Sequence, residues 1–191
     1  MEELGGKTVG LIGYGQIGRA IVPRARAFGA RVAACARRVG PAPELEWLRP
    51  LAALPALYAE SDFVVVASGL GPETEGLIDA ESFRAMRPTA VLINVSRGPI
   101  VEEEALYRAL VDRTIAGAVI DTWYRYPTPE APHVRPSRFP FHELDNVLMT
   151  PHCSAWTRGM IDRRWTEIAD NIDRVARGEA PRNVVYRAPA A

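Results

Sequence analysis

Three glycines, Gly13, Gly15 and Gly18, directly follow the apolar run Val9-Gly10-Leu11-Ile12, and they limit what this chain can fold into more than any other stretch. A tight turn forms most easily at Gly13, where no Cβ obstructs it. Gly15 lets the main chain approach a pyrophosphate, and Gly18 lets the next helix press against the strand. The helix start then aims free N–H groups at an anion. Gly13, Gly15, Gln16, Ile17 and Gly18 are therefore read as a phosphate-binding turn. Glycines at these offsets also occur in ordinary strand-turn-helix units. The surroundings favour the nucleotide reading: a strand pattern before, a helical pattern after, and a second strand from Arg31 to Ala36.

The same alternation continues along the chain. Ile17, Ala20, Ile21, Ala25 and Phe28 recur at helical spacing, Gly29 supplies a stop, and Pro23 should kink that helix or remove one hydrogen bond. The proline-punctuated region from Pro41 to Pro55 holds Trp47, Leu48, Leu51 and Leu54 and reads as a short irregular helix. Phe63-Val64-Val65-Val66 is apolar throughout, as a parallel strand covered on both faces should be. Helix 79–86, strand 90–95, helix 102–111 and strand 115–120 follow in turn. Five prolines between Pro127 and Pro140 mark an ordered surface loop, Val147-Leu148-Met149 a last strand. The chain then enters an amphipathic helix, with Ile161, Trp165, Ile168, Ile172 and Val175 as its expected buried stripe and a stop near Gly178. The pattern predicts an α/β fold with a doubly wound parallel sheet.

A chain of 191 residues is most economically one domain. Its 23 basic and 23 acidic residues balance, which gives no reason to expect nucleic acid or an anionic membrane as partner. The start Met1-Glu2-Glu3-Leu4 lacks a basic-then-apolar signal, so a cytoplasmic setting is expected. Cys35 and Cys153 suggest neither a disulfide framework nor a metal site.

At Asn94-Val95-Ser96-Arg97-Gly98, followed by Glu102-Glu103-Glu104-Ala105-Leu106, the chain resembles the D-isomer-specific 2-hydroxyacid dehydrogenases, whose arginine sits on a strand-to-helix turn. Gly117-Ala118-Val119-Ile120-Asp121-Thr122-Trp123 and Asn146-Val147-Leu148-Met149-Thr150-Pro151-His152 agree with that family, in its order. The resemblance runs from Leu4 to about Val185. It implies a Rossmann-type NAD(P)-binding domain over residues 1–185, with 186–191 as a tail. It also implies hydride transfer between a nicotinamide dinucleotide and a small-molecule 2-oxo or 2-hydroxy acid. On this resemblance Arg97 would hold the carboxylate and carbonyl of the acid by a forked contact. His152 would give and take the proton at the carbonyl oxygen. Val95, Ser96 and Asp121 match positions at the nicotinamide end of the cofactor. Relatives dimerise through this domain, so a homodimer is implied. Outside the resemblance, an arginine after a strand is usually solvated and a histidine after proline is usually a turn residue.

Three departures from the family stand out. Dinucleotide domains that prefer NAD carry an acid about 20 residues after the glycines for the ribose 2′-hydroxyl. Here that position falls on Ala36, Arg37 and Arg38 follow it, and no acid occurs between Gly18 and Glu44. NADP is thus expected over NAD, which remains possible; two arginines merely solvated on a surface turn are the alternative. The family places a glutamate before a proline shortly after the aspartate motif, where it raises the histidine pKa. Tyr126 precedes Pro127 in this chain. A phenol can orient an imidazole but cannot stabilise imidazolium as a carboxylate does, and Glu130 is the other candidate. Finally, the family's substrate domain, on the order of 100 residues, is absent from the sequence. An internal start and a stand-alone module both account for that, and a cofactor-binding module without turnover stands beside the oxidoreductase reading. A methyltransferase would want an acid where Ala36 stands.

Overall fold

A computed structural model describes residues 3–185. The 186–191 tail lies outside the described residues. By internal packing the chain divides into two units, one up to His152 and one from Cys153 onward.

The first unit is built on seven parallel strands in the order β3-β2-β1-β4-β5-β6-β7. They are β1 (Thr8–Ile12), β2 (Arg31–Cys35), β3 (Trp47–Arg49), β4 (Phe63–Val66), β5 (Val91–Asn94), β6 (Gly117–Ile120) and β7 (Val147–Met149). The linking helices are α1 (Gln16–Ala27), α2 (Leu54–Glu60), α3 (Ala80–Ala85) and α4 (Glu103–Val111). Because successive strand residues face opposite ways, the central strands feed two cores. Val9, Leu11, Val32, Ala34 and Val65 join Val22 and Ala25 of α1 on one face. Ile12, Ala33, Cys35, Val64 and Val66 meet α2, α3 and α4 on the other. That double burial is why the central strands read as unbroken apolar runs.

Several sequence expectations need correction. The region 41–55 is not one irregular helix: Trp47 and Leu48 lie on β3, and only beyond Pro50 does the chain turn helical, through a short 3-10 turn at Leu51–Ala53 into α2. β2 stops at Cys35, one residue short of the expected Ala36. α1 continues through Pro23, where, as expected, the missing proline N–H removes one helix hydrogen bond. Its buried face is Gly18, Val22 and Ala25, while Ile17 and Phe28 are exposed. Apolar spacing located the helix, but tight packing on β1 favours its small residues over its bulky ones.

Asp79 caps α3, its carboxylate accepting the Ser82 N–H at 2.9 Å. That bond holds the Asp79 carboxyl below the usual carboxylate range. Its contribution is therefore present above the ordinary carboxylate pKa and is lost as pH falls through the depressed folded value. Asp79→Ala should cost about 1 kcal/mol at pH 7, read by urea unfolding, with the gap to wild type shrinking in acid.

In the second unit, α5 (Arg158–Ala176) starts at Thr157, whose side chain accepts the Met160 N–H, and ends before Gly178 at φ +74°. Arg182 donates its N–H to Asn171 and pairs with Asp170 at 2.9 Å, folding the following segment back along the helix. The expected buried stripe is not buried: no residue of α5 is, and Trp165 is 66 % exposed. The periodicity that marks an amphipathic helix shows a face suited to a partner without supplying one.

Candidate functional site

Parallel strands put all their carboxyl ends on one edge, and each sequence-predicted site residue lies on a segment leaving it. The glycine turn follows β1, Arg37 and Arg38 follow β2, and Val95, Ser96 and Arg97 follow β5. Asp121 and Tyr126 come after β6, His152 after β7. Across the edge the arginine pair comes first, then the turn, then Arg97, Asp121 and His152. Neighbouring strands are about 4.8 Å apart, so β2 to β5 spans about 14 Å and β7 lies about 10 Å past β5. The strand order reverses between β1 and β4, the place where open α/β sheets take ligands.

Each glycine of the turn has a separate geometric reason. Gly13 sits at φ +103°, and a Cβ there would stand 2.7 to 2.8 Å from the Ala67 and Ser68 backbone. A Cβ on Gly18 would meet the Gly13 carbonyl at 2.6 Å. Around Gly15 nothing lies within 4 Å, so the turn is open on that side. Gly15 caps α1 with no side-chain hydrogen bond, and the first turn, starting with Gln16 and Ile17, carries no acid. These features fit the diphosphate of a dinucleotide. The adjoining cleft, of about 720 Å³, is lined by Gly13, Tyr14, Gly15, Arg37, Arg38 and residues 67–69, with Glu73 and Thr74 at one side. Glu44, the first acid after the glycines, accepts a hydrogen bond from the Tyr14 hydroxyl, which holds its carboxyl below the usual range. The end of β2 keeps Ala36, whose N–H donates to the Arg49 carbonyl at 3.0 Å.

The other half of the edge is tied together by hydrogen bonds. Asn94 accepts the Ser96 N–H at 3.0 Å and donates to the Arg97 carbonyl at 3.1 Å, which folds the end of β5 into a turn carrying an exposed Arg97. The Ser96 hydroxyl donates to the Ser68 carbonyl, linking the β5 and β4 loops. A Cβ on Gly98 would lie 2.4 Å from the Trp123 carbonyl, so the β5 and β6 loops touch backbone to backbone. The Trp123 indole N–H donates to the Thr150 carbonyl at 2.9 Å, and the Thr150 hydroxyl donates to the buried Asp121 at 2.6 Å. The Trp123 backbone N–H donates to the Tyr126 hydroxyl at 2.9 Å. The Tyr126 ring then lies 5.5 Å from that of His152, tilted by 48°. His152 is exposed, with φ +55°, a conformation residues with a side chain rarely adopt and one that clusters at functional sites. Glu130 is held in its own turn, its carboxyl lowered by its own backbone N–H and then by Thr128.

Residues 1–154 match the family model described as D-isomer specific 2-hydroxyacid dehydrogenase, NAD binding domain. The chain belongs to this family. Among dehydrogenases of the family and their kin, the glyoxylate reductase of Thermococcus onnurineus (strain NA1) is 37 % identical over 182 residues, covering 95 % of this chain and 52 % of the relative. A D-isomer specific 2-hydroxyacid dehydrogenase from Xanthobacter autotrophicus Py2, solved with NADPH and MES, has a TM-score of 0.79 at 34 % identity, covering 94 % of this chain and 71 % of its own. D-lactate dehydrogenase with NAD+ from Lactobacillus jensenii has a TM-score of 0.83 at 29 % identity, covering 97 % and 57 %. The chain spans about half the length of the curated relatives it matches.

Two residues that line the cleft escape a sequence reading. Ser68 leaves β4 at the switch point, and its hydroxyl is buried with no hydrogen-bond partner among the described residues. Its place right after an apolar strand was the available signal. Glu73 reaches Arg37 from a distant loop, and no local pattern announces that.

Proposed function

We propose that this chain is the cofactor-binding part of an oxidoreductase that moves a hydride between NADP(H) and a 2-oxo or 2-hydroxy acid. The observation that carries the reading is the order along the sheet edge: arginine pair, glycine turn, then Arg97 and His152. Arg37 and Arg38 would hold the 2′-phosphate of a dinucleotide bound at that edge, and Val95, Ser96 and Asp121 would lie at its nicotinamide end. The cofactor supplies or accepts the hydride. Arg97 holds the acid's carboxylate, His152 exchanges the proton with its carbonyl oxygen, and Tyr126 positions His152. Preference for NADP over NAD rests on Ala36, where no carboxylate meets a 2′-phosphate. The relative solved with NADPH supports it, and the one solved with NAD+ keeps NAD as the alternative. Cytoplasmic location and assembly as a homodimer belong to the same proposal. No helix among the described residues is long and apolar enough to cross a membrane.

The test is NADPH oxidation by the purified protein with glyoxylate, hydroxypyruvate or pyruvate, alongside fluorescence titration with NADPH and NADH. Arg37→Ala/Arg38→Ala should weaken NADPH binding at least about tenfold and leave NADH nearly unchanged. Equal wild-type affinity for both cofactors would sink the NADP preference. Cofactor binding without turnover on any of the three acids would favour a silent NADP(H)-binding module, a reading that Tyr126 in the glutamate position supports.

A further inference from the structure

The one charged group of the cleft lining that opposes the arginine pair is Glu73. Its Oε2 lies 3.9 Å from Arg37 Nη1, and the two side chains are 70 % and 73 % exposed. Its backbone is fixed even though its side chain is not. The neighbouring Thr74 is buried, donates its hydroxyl to the Gly69 carbonyl at 2.8 Å and accepts the Gly71 N–H at 2.9 Å. Thr74 N–H also donates to the Gly71 carbonyl at 2.9 Å. These bonds close the 69–74 loop on itself and hold residue 73 on the lip of the cleft, opposite the end of β2.

We propose that Glu73 sets how strongly this site discriminates a 2′-phosphorylated dinucleotide from one with a free 2′-hydroxyl, by competing with the phosphate for Arg37. The inference rests on the cofactor reading above and deepens it. A 2′-phosphate that pairs with Arg37 competes with the Glu73 carboxylate and sits within a few ångströms of that negative charge. A 2′-hydroxyl carries no charge to repel, so Glu73 keeps its partner when NAD(H) enters. The carboxylate thus lowers NADP(H) affinity selectively. Because both side chains are exposed, screening keeps the effect small and makes it depend on salt.

Fluorescence titration of the full chain with NADPH and NADH tests this in four proteins: wild type, Glu73→Gln, Arg37→Ala, and Arg37→Ala/Arg38→Ala. Glu73→Gln should tighten NADPH about two- to fivefold, leave NADH unchanged, and show a larger gain at low ionic strength. Its melting temperature should match wild type, since the loop is closed by Thr74. If Glu73→Gln keeps the wild-type NADPH-to-NADH ratio while the arginine variants lower it, Glu73 has no selective role and the cofactor reading stands. If the arginine variants also leave the ratio untouched, the cofactor reading falls and the inference falls with it.

Discussion

Gly13→Ala is expected to remove cofactor binding and to destabilise the first unit by about 2 to 5 kcal/mol. Two penalties combine at this position. The backbone stands at φ +103°, where a side chain is strained whatever the space around it. The new methyl would also lie 2.7 Å from Ser68 N and 2.8 Å from the Ala67 carbonyl. Neither obstacle yields easily, because both are backbone leaving β4, and Ala67 N–H is bonded to the Ile12 carbonyl at 2.9 Å. Gly13 N–H itself donates to the Cys35 carbonyl at 2.8 Å, so the turn is held from both neighbouring strands. Gly15→Ala is the informative control. Its methyl meets nothing within 4 Å, so urea unfolding should be near wild type while NADPH affinity drops. A Gly13→Ala protein with wild-type stability and affinity would show that the turn does not have this geometry.

In a preparation that turns over a 2-oxo acid, His152→Ala should lower kcat about 10²- to 10⁴-fold with little change in NADPH affinity. The proposed proton donor would be gone while the glycine turn and arginine pair remain. Tyr126→Phe separates positioning from chemistry. It keeps the ring 5.5 Å from His152 but removes the hydroxyl that accepts the Trp123 N–H. That orphaned amide loosens the loop between β6 and the histidine, so kcat should fall. An unchanged rate would exclude the tyrosine. A His152→Ala enzyme at wild-type rate would exclude the histidine.

How far the sequence reached depends on how local each signal is. The glycine turn is legible because its three constraints lie within six residues and each needs the same residue type. The parallel sheet is legible because double burial writes apolar runs such as Phe63 to Val66. Trp47 and Leu48 misled because a three-residue edge strand leaves too short a pattern to be told from a helical turn. The stripe of α5 was read correctly as a pattern and wrongly as burial. At the candidate site, Arg97 and His152 rest on motif resemblance. The coupling that ties the His152 segment to β6, through Asp121, Thr150, Trp123 and Tyr126, joins residues up to 29 apart and was invisible. Glu73 was missed for the same reason.

The central place of β1 also governs how the chain reaches this structure. β1 pairs with β2, Val9 standing opposite Val32, and on its other side with β4, where Val9 stands opposite Phe63. During synthesis β1 therefore waits for two later strands. Until β4 is available, Leu11 and Ile12, both fully buried at the end, have only one edge of their strand covered. Long-range parallel pairing of this kind folds slowly, because the loop must close before its contacts stabilise anything. The seam at the switch point, Val9 against Phe63, thus closes a longer loop than any other pairing of the sheet, and apolar β1 keeps one open edge until it forms.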